Sequence, residues 1–272
     1  MNNILLHKES FKGNHVVINE PSTVHHLNKV LRIKVGKCLT VSDGEGEQYE
    51  VKVTNIAKDY IEASILSKSD SKRELEHIHL SLFQGLPKGS KMETIIQKTV
   101  ELGVNEIHPV YMERSISVDN GKGDKKASRW QKIAEETLKQ CKGSIIPTIH
   151  EPTKFSAYFD YLKSMDLLVF PYENTDNYSL KNLIEDYKKS QTDLVKASSN
   201  SAGNSDKKMD KDKNEDKIKI AVIIGPEGGF SKQEADKLIS LSAKPVSLGK
   251  RILRTETAAI ATIAMLIYEF EL

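Results

Sequence analysis

In the C-terminal two-thirds of the chain, short apolar runs alternate with amphipathic stretches. Ile218 to Ile224 is apolar apart from Lys219, the pattern of a strand buried on both faces. Similar runs near 78–84, 106–112, 166–171 and 244–248 predict more strands. Between and after them, apolar residues spaced three and four apart predict helices near 90–102, 128–141, 177–187, 231–242 and 256–268. Met92, Ile95, Ile96, Thr99 and Leu102 form one stripe; Trp130, Ile133, Ala134, Thr137, Leu138 and Cys141 form another. This alternation predicts a parallel α/β sheet flanked by helices.

Residues 1–72 follow a different period. Tyr49, Val51 and Val53 alternate with Glu50 and Lys52, and Tyr60, Ile61, Ala63 and Ile65 make another strand-like run. Asp43-Gly44 and Glu45-Gly46 supply a hairpin turn. These features predict a small all-β module, a barrel, with a short helix leading into Val30-Leu31-Arg32. Polar residues 68–76 read as a linker to a second domain at 73–272. Residues 188–217 are rich in Lys, Asp, Ser and Asn and nearly lack large apolar side chains, so they read as a disordered insertion.

Capping signals sharpen the helices. Ser90 with Glu93, and Ser231 with Glu234, have capping-box spacing. Ala235, Leu238 and Ile239 supply the apolar stripe behind the second. The turn Gly225–Gly229 therefore joins a strand end to a helix start, where open α/β sheets bind ligands.

Charge and cysteine content add limits. The formal net charge of the 272 residues is only +2, so a nucleic-acid partner has to be argued from local patches. Lys29, Arg32, Lys34 and Lys37 form one such patch, suited to phosphate contact. Cys38 and Cys141 lack metal-site spacing and read as reduced thiols of a cytosolic-type compartment. Ile4-Leu5-Leu6 runs straight into His7-Lys8-Glu9, which is no secretory leader pattern. The longest apolar stretch, the C-terminal helix, is shorter than the ~20 residues of a membrane span. His77 and His79 share a strand face, but no third ligand at fitting spacing completes a metal site.

The chemistry concentrates in two glycine-containing turns, Gly225–Gly229 and Gly249–Thr255. GPEGGFSKQ lacks the Lys-Ser/Thr of a phosphate loop and the spacing of GxGxxG. Glu227 within it would repel a phosphate. A ligand with adenine and ribose but no phosphate fits better, and S-adenosylmethionine is one.

IGPEGGF, followed about twenty residues later by LGKRILRTETAAI, resembles the C-terminal signature of the RsmE family, the 16S ribosomal RNA uracil(1498)-N(3)-methyltransferases of the SPOUT (trefoil-knotted) class. HHLNKVLRIKVGKCLTVSDGEG resembles that family's PUA-like RNA-binding module, and KGSKMETIIQKTVELGV is similar to its following helix. The resemblance covers nearly the whole chain outside 188–217. It implies a PUA-like domain at 1–72 and a knotted methyltransferase domain at 73–272, a homodimer with the C-terminal helix in the interface, a cytoplasmic location and no metal.

The resemblance also implies site residues. S-adenosylmethionine would lie against Gly225, Pro226, Glu227, Gly228 and Gly229, against Leu248, Gly249, Ile252, Leu253 and Thr257, and against a third wall of Phe170, Pro171, Tyr172 and Glu173. Ribosomal RNA would meet Lys29, Arg32 and Lys34, the Lys88–Lys91 turn, and Arg114, which alternatively pairs with Glu113. For methyl transfer to uracil N3, Arg254 is the first choice to stabilise charge on the base. Glu256 is either the base or a structural acid at the positive end of a helix, and Glu227 shares that ambiguity. The sequence departs from the family after the helix at 128–141, where Lys142 stands near a usual arginine; an ammonium lacks the planar fork. A SPOUT enzyme acting on another RNA such as tRNA, and a non-catalytic RNA-binding assembly factor, remain alternatives.

Overall fold

The computed structural model describes residues 3–70, 74–116, 121, 123–173, 175, 178–199 and 217–272. The chain divides into two compact units, Met1–Glu74 with Ala134–Ile146, and Leu75–Ile133 with Pro147–Leu272.

The first unit contains β1 (Asn3–Leu5), β2 (Phe11–Lys12), β3 (His15–Ile18), α1 (Pro21–His25), β4 (Cys38–Ser42), β5 (Glu47–Ile56) and β6 (Ile61–Asp70). They form a six-stranded sheet in the order β1-β4-β5-β6-β3-β2, antiparallel except for β1 on β4. The two-residue period read from β5 is the burial pattern: Val51 and Val53 are buried and Glu50 and Lys52 are exposed. With Val16, Ile18, Leu27, Val41 and Ile61 they make one apolar core. The hairpin turn forms where Asp43-Gly44-Glu45-Gly46 predicts it. Asp43 Oδ1 accepts from the amides of Glu45 (2.8 Å) and Glu47 (3.1 Å), and both glycines have positive φ. One expectation needs correcting: residues 68–70 belong to β6 and pair with 47–49, so a linker cannot begin at 68. Polar composition does not exclude a strand whose outward face is solvated. Residues 71–73 lie outside the described residues.

The second unit holds β7 (Ile78–Gly85), α2 (Lys91–Glu101), β8 (Glu106–Tyr111), β9 (Thr148–Ile149), β10 (Thr153–Lys154), α4 (Phe159–Lys163), β11 (Leu167–Pro171), α5 (Leu180–Ser199), β12 (Ile218–Ile224), α6 (Lys232–Ser240), β13 (Lys244–Val246) and α7 (Thr255–Glu271). Helix α3 (Gly123–Cys141) begins in this unit and ends in the first. The strands form one parallel sheet in the order β10-β8-β7-β12-β11-β13, with β9 also on β8. Strand β12 pairs along its whole length with β7 and in part with β11, which explains its unbroken apolar run. Phe83, Phe170, Ala221, Ile223, Phe230, Ala235 and Leu238 pack together in one core cluster of this unit.

Several local expectations change. Helix α5 continues through Ser199, so residues 188–199 are helical rather than part of a disordered insertion; residues 200–216 lie outside the described residues. Composition missed this because Lys188, near the middle of the helix, is tied to the end of α7. Its Nζ donates to Glu269 O (2.7 Å) and lies over the Phe270 ring. Helix α3 starts five residues earlier than the stripe from 128 implied. Cys141 and Ile239, placed on apolar faces by spacing, are exposed. The carboxylate of Glu271, at the end of α7, accepts from the amides of Glu76, His77 and Ile78, and so caps the entry to β7. No helix among the described residues is long and apolar enough to cross a membrane.

Candidate active site

The C-terminal ends of β11, β12 and β13 open into a cavity of about 620 Å³, within the usual range for small-molecule sites. Its walls come from three segments: Pro171–Glu173 after β11, Ile224–Glu227 with Gly229 and Phe230 after β12, and Val246–Thr255 after β13. Lys91 and Ala258 complete the lining. The two glycine turns that are separate in the sequence thus share one pocket.

Two devices hold the first turn. Ser231 is extended, and its Oγ accepts from Glu234 N (3.2 Å) while Glu234 Oε2 accepts from Ser231 N (2.9 Å). The predicted capping box of α6 is therefore formed. Glu234 Oε1 also accepts from Glu113 N (2.8 Å), joining the segment after β8 to the helix start. Arg114 Nη1 donates to Gly228 O (3.0 Å), so this arginine braces the turn rather than pairing with Glu113. The second device is buried. Thr255 Oγ1 donates to Gly225 O (2.7 Å) and accepts from Gln84 Nε2 (2.9 Å). This chain locks the start of α7 to the ends of β7 and β12.

The other capping box does not form. Ser90 has φ −89° and ψ 4°, outside the extended region an N-cap needs, and its side chain makes no cap hydrogen bond. Its supposed partner Glu93 pairs with Arg129 instead, at 2.7 Å. The preceding Lys88-Gly89 turn serves the pocket: Lys88 N and Lys91 Nζ both donate to Glu227 Oε1, at 3.1 and 2.7 Å. Burial pushes the Glu227 carboxyl up, but the Lys91 ammonium and the amides of Glu227 and Lys88 outweigh it and hold it below the usual range. Lys91 Nζ is also 3.9 Å from Glu256 Oε2, a buried oxygen without a hydrogen-bond partner.

Most residues expected at the cofactor come together here: Pro171, Tyr172, Gly225, Pro226, Glu227, Gly229, Leu248, Gly249, Ile252 and Leu253 all line the pocket. Three expected residues do not. Phe170 is fully buried in the core, edge-on to Phe230. Gly228 faces away, its missing Cβ pointing at Arg114. Thr257 is exposed, and Thr255 lines the pocket instead. Two residues along a helix is a rotation of about 200°, so the two threonines cannot share a face. Arg254 lines the pocket as the extended, exposed N-cap residue of α7. Lys29, Arg32 and Lys34 are all exposed on the first unit, with Arg32 in the left-handed region at φ 46°. The residue that pattern reading missed is Gln84. Its signal was a lone amide in an apolar strand, HLSLFQG, where a buried polar group needs a partner.

A parallel sheet with a glycine-walled pocket at its strand ends, alongside a separate small β unit, defines a class, and comparison with known proteins agrees. A family model described as RNA methyltransferase domain matches residues 73–267, and one described as RNA methyltransferase PUA domain matches 18–66. The chain is thus an RNA methyltransferase by family. A relative from Bacillus subtilis (strain 168), named ribosomal RNA small subunit methyltransferase E, is 29% identical over 92% of this chain and 88% of its own. One of the same name from Buchnera aphidicola subsp. Schizaphis graminum is 31% identical over 94% and 92%. A crystal structure of ribosomal RNA small subunit methyltransferase E from Neisseria gonorrhoeae bound to S-adenosyl methionine is 27% identical, with a TM-score of 0.74 over 99% of this chain and 98% of that one. The chain belongs to the ribosomal RNA small subunit methyltransferase E family, RsmE.

Proposed function

We propose that this protein methylates N3 of a specific uridine in 16S ribosomal RNA, uracil 1498 in the family's naming, using S-adenosylmethionine. The observation that carries the reading is the single pocket shared by both glycine turns, with Arg254 in its lining and the unpartnered Glu256 oxygen close by.

The pocket suits this cofactor. Gly249 has φ +125° and open space where a Cβ would stand, so the backbone can approach a ligand closely. Leu248, Ile252 and Leu253 offer apolar walls. When bound, the cofactor supplies an electrophilic methyl group. The protein holds the base beside it and handles the N3 proton. No described residue holds the Arg254 guanidinium in an ion pair, which leaves its donors for charge developing on the uracil oxygens. Glu256, outside the pocket lining with its Oε2 buried beside Lys91, is the candidate acceptor for the N3 proton and has to turn toward the base to take it. Lys91 links this carboxylate to the Glu227 loop.

Lys29, Arg32 and Lys34 belong to the RNA contact of the PUA-like unit, where exposed cations suit phosphate contact. Lys88 extends that contact on the catalytic unit, where its side chain is exposed. The domain boundary near residue 72, the trefoil threading and the homodimer belong to the same reading. The apolar α7, with Met265 and Tyr268 exposed, supports the dimer. A ribosomal RNA substrate and two free cysteines support a cytoplasmic location.

The test is calorimetric titration of S-adenosylmethionine into the protein and an Arg254→Ala variant, with methylation of 16S RNA assayed in parallel. The reading requires saturable binding by both and turnover by wild type only. Absence of binding by wild type, with and without RNA, contradicts it.

A further inference from the structure

Away from the pocket, and sharing no residue with it, four side chains of the second unit converge on the carboxylate of Glu106. Glu106 opens β8, His108 lies two residues on, His79 is on neighbouring β7, and His150 follows β9. Tyr161 OH donates to Glu106 Oε2 at 2.8 Å, and His108 Nε2 stands 2.9 Å from the same oxygen. His150 Nε2 is 3.6 Å from Oε2, and His79 Nε2 is 3.5 Å from Oε1. The one acid is thus ringed by three imidazoles and a phenol.

Two features set this cluster apart from an ordinary hydrogen-bond network. His150 Nε2 is buried without a hydrogen-bond partner, a costly arrangement unless another group completes it. The donor set is also that of a borderline transition metal, neutral imidazole plus carboxylate. One ligand atom from each of Glu106, His108 and His150 lies within 4.8 Å of the other two. The His150–Glu106 separation of 3.6 Å is too long for a good hydrogen bond. It is close to the ~3.3 Å that separates two ligand atoms of a tetrahedral ion with bonds of ~2.0–2.1 Å.

We propose that Glu106, His108 and His150 bind a divalent transition-metal cation of the zinc–cobalt class, which fastens the β8–β9 edge of the sheet. His108 is the fixed ligand: its side chain is 3% exposed, and its ring is stacked on Phe83 at 4.3 Å and 2°. His150 is the adjustable one, with a side chain 38% exposed in the segment after β9. In the ion-free arrangement its ring stacks on His108 at 4.0 Å and 9°. Two parallel rings cannot both aim an in-plane lone pair at one ion, so uptake turns His150 out of the stack. Tyr161 keeps its bond to Glu106 and orients the carboxylate, as outer partners of metal ligands do. His79 is the reserve fourth ligand on the other carboxylate oxygen. The site is remote from methyl transfer, so its role is structural.

The test uses untagged full-length protein stripped with a chelator and titrated with Co²⁺ alone. Expected are one ion per chain, the visible absorption of tetrahedral Co²⁺, and a raised thermal midpoint. His150→Ala, at a partly exposed position the fold tolerates, should weaken binding at least about tenfold, and Glu106→Gln likewise. His25→Ala, a histidine exposed on the other unit, should change nothing. S-adenosylmethionine binding by His150→Ala should match wild type, which shows that the variant is folded. Absence of saturable Co²⁺ binding, or equal binding by wild type, His150→Ala and Glu106→Gln, overturns the proposal.

Discussion

Gly85, the last residue of β7, offers the most direct probe of how the fold shapes the pocket. A Cβ built there stands 2.6 Å from both the N and Cδ of Pro226, and 3.0 Å from the carbonyl carbon of Gly225. Carbon contacts are comfortable near ~3.5–4.0 Å, so Gly85→Ala overlaps its neighbours by about 1 Å. The obstacle is largely backbone, and no rotamer change relieves it. The Gly225–Pro226 turn must move, and with it the carbonyl that Thr255 holds at 2.7 Å. Overpacking of this kind costs about 1–3 kcal/mol. Borne by the ligand-ready turn, that is roughly a five- to 150-fold loss of S-adenosylmethionine affinity. Borne by the whole fold, it appears as a lower thermal midpoint. Calorimetric titration with a parallel melt separates the two. Gly123→Ala is the control, because its Cβ meets only Pro152 Cδ at an ordinary 3.6 Å. If Gly85→Ala binds the cofactor within twofold of wild type and melts at the same temperature, the account of the turn is wrong.

Other outcomes follow from the same geometry. Ser231→Ala removes a formed cap and should cost about 1 kcal/mol in denaturant unfolding, whereas Ser90→Ala, which loses no cap bond, should stay within a few tenths. The Glu227 carboxyl should titrate by NMR below the free value of about 4.3, and Lys91→Met should raise its midpoint by leaving only the amides of Glu227 and Lys88 to oppose burial. Because that folded-state pKa is depressed, the stabilisation is complete above the unfolded pKa and is lost as pH falls through the folded one. If the proposed dimer forms through α7, Tyr268→Glu, at a side chain exposed there, should shift it toward monomer in light scattering and leave the melt of the monomer unchanged. An unchanged mass would remove α7 from the interface.

How much the sequence disclosed depended on the range of the interaction. Period-two and helical patterns placed β5, β12, α2 and α6 because burial on one face or on two leaves a local trace. The Ser231–Glu234 box was legible because both partners lie within one turn of helix. Ser90 and Glu93 have the same spacing and fail, since the Gly89 turn sets the Ser90 backbone outside the capping region and Arg129 draws Glu93 away. Composition misjudged 188–199, where a long-range tie from Lys188 to α7 accompanies a polar helix. At the pocket, motif resemblance named segments that share one lining but could not tell Thr255 from Thr257, or show that Phe170 and Gly228 face elsewhere. Those distinctions depend on side-chain direction, which only the packed structure fixes. Of the imidazoles around Glu106 only His79 stood out in the sequence, paired there with His77, because parallel pairing of β7 with β8, and of β8 with β9, assembles the cluster from distant stretches.

The central claim is methyl transfer to one atom of one base. The most direct measurement is incubation of the protein with methyl-labelled S-adenosylmethionine and small-subunit ribosomal RNA, followed by nuclease digestion and mass-spectrometric mapping. Label is expected at a single uridine, on N3, and none with Arg254→Ala. Label on a ribose, on another base or only on transfer RNA would contradict it, and so would wild-type protein that binds cofactor yet transfers nothing.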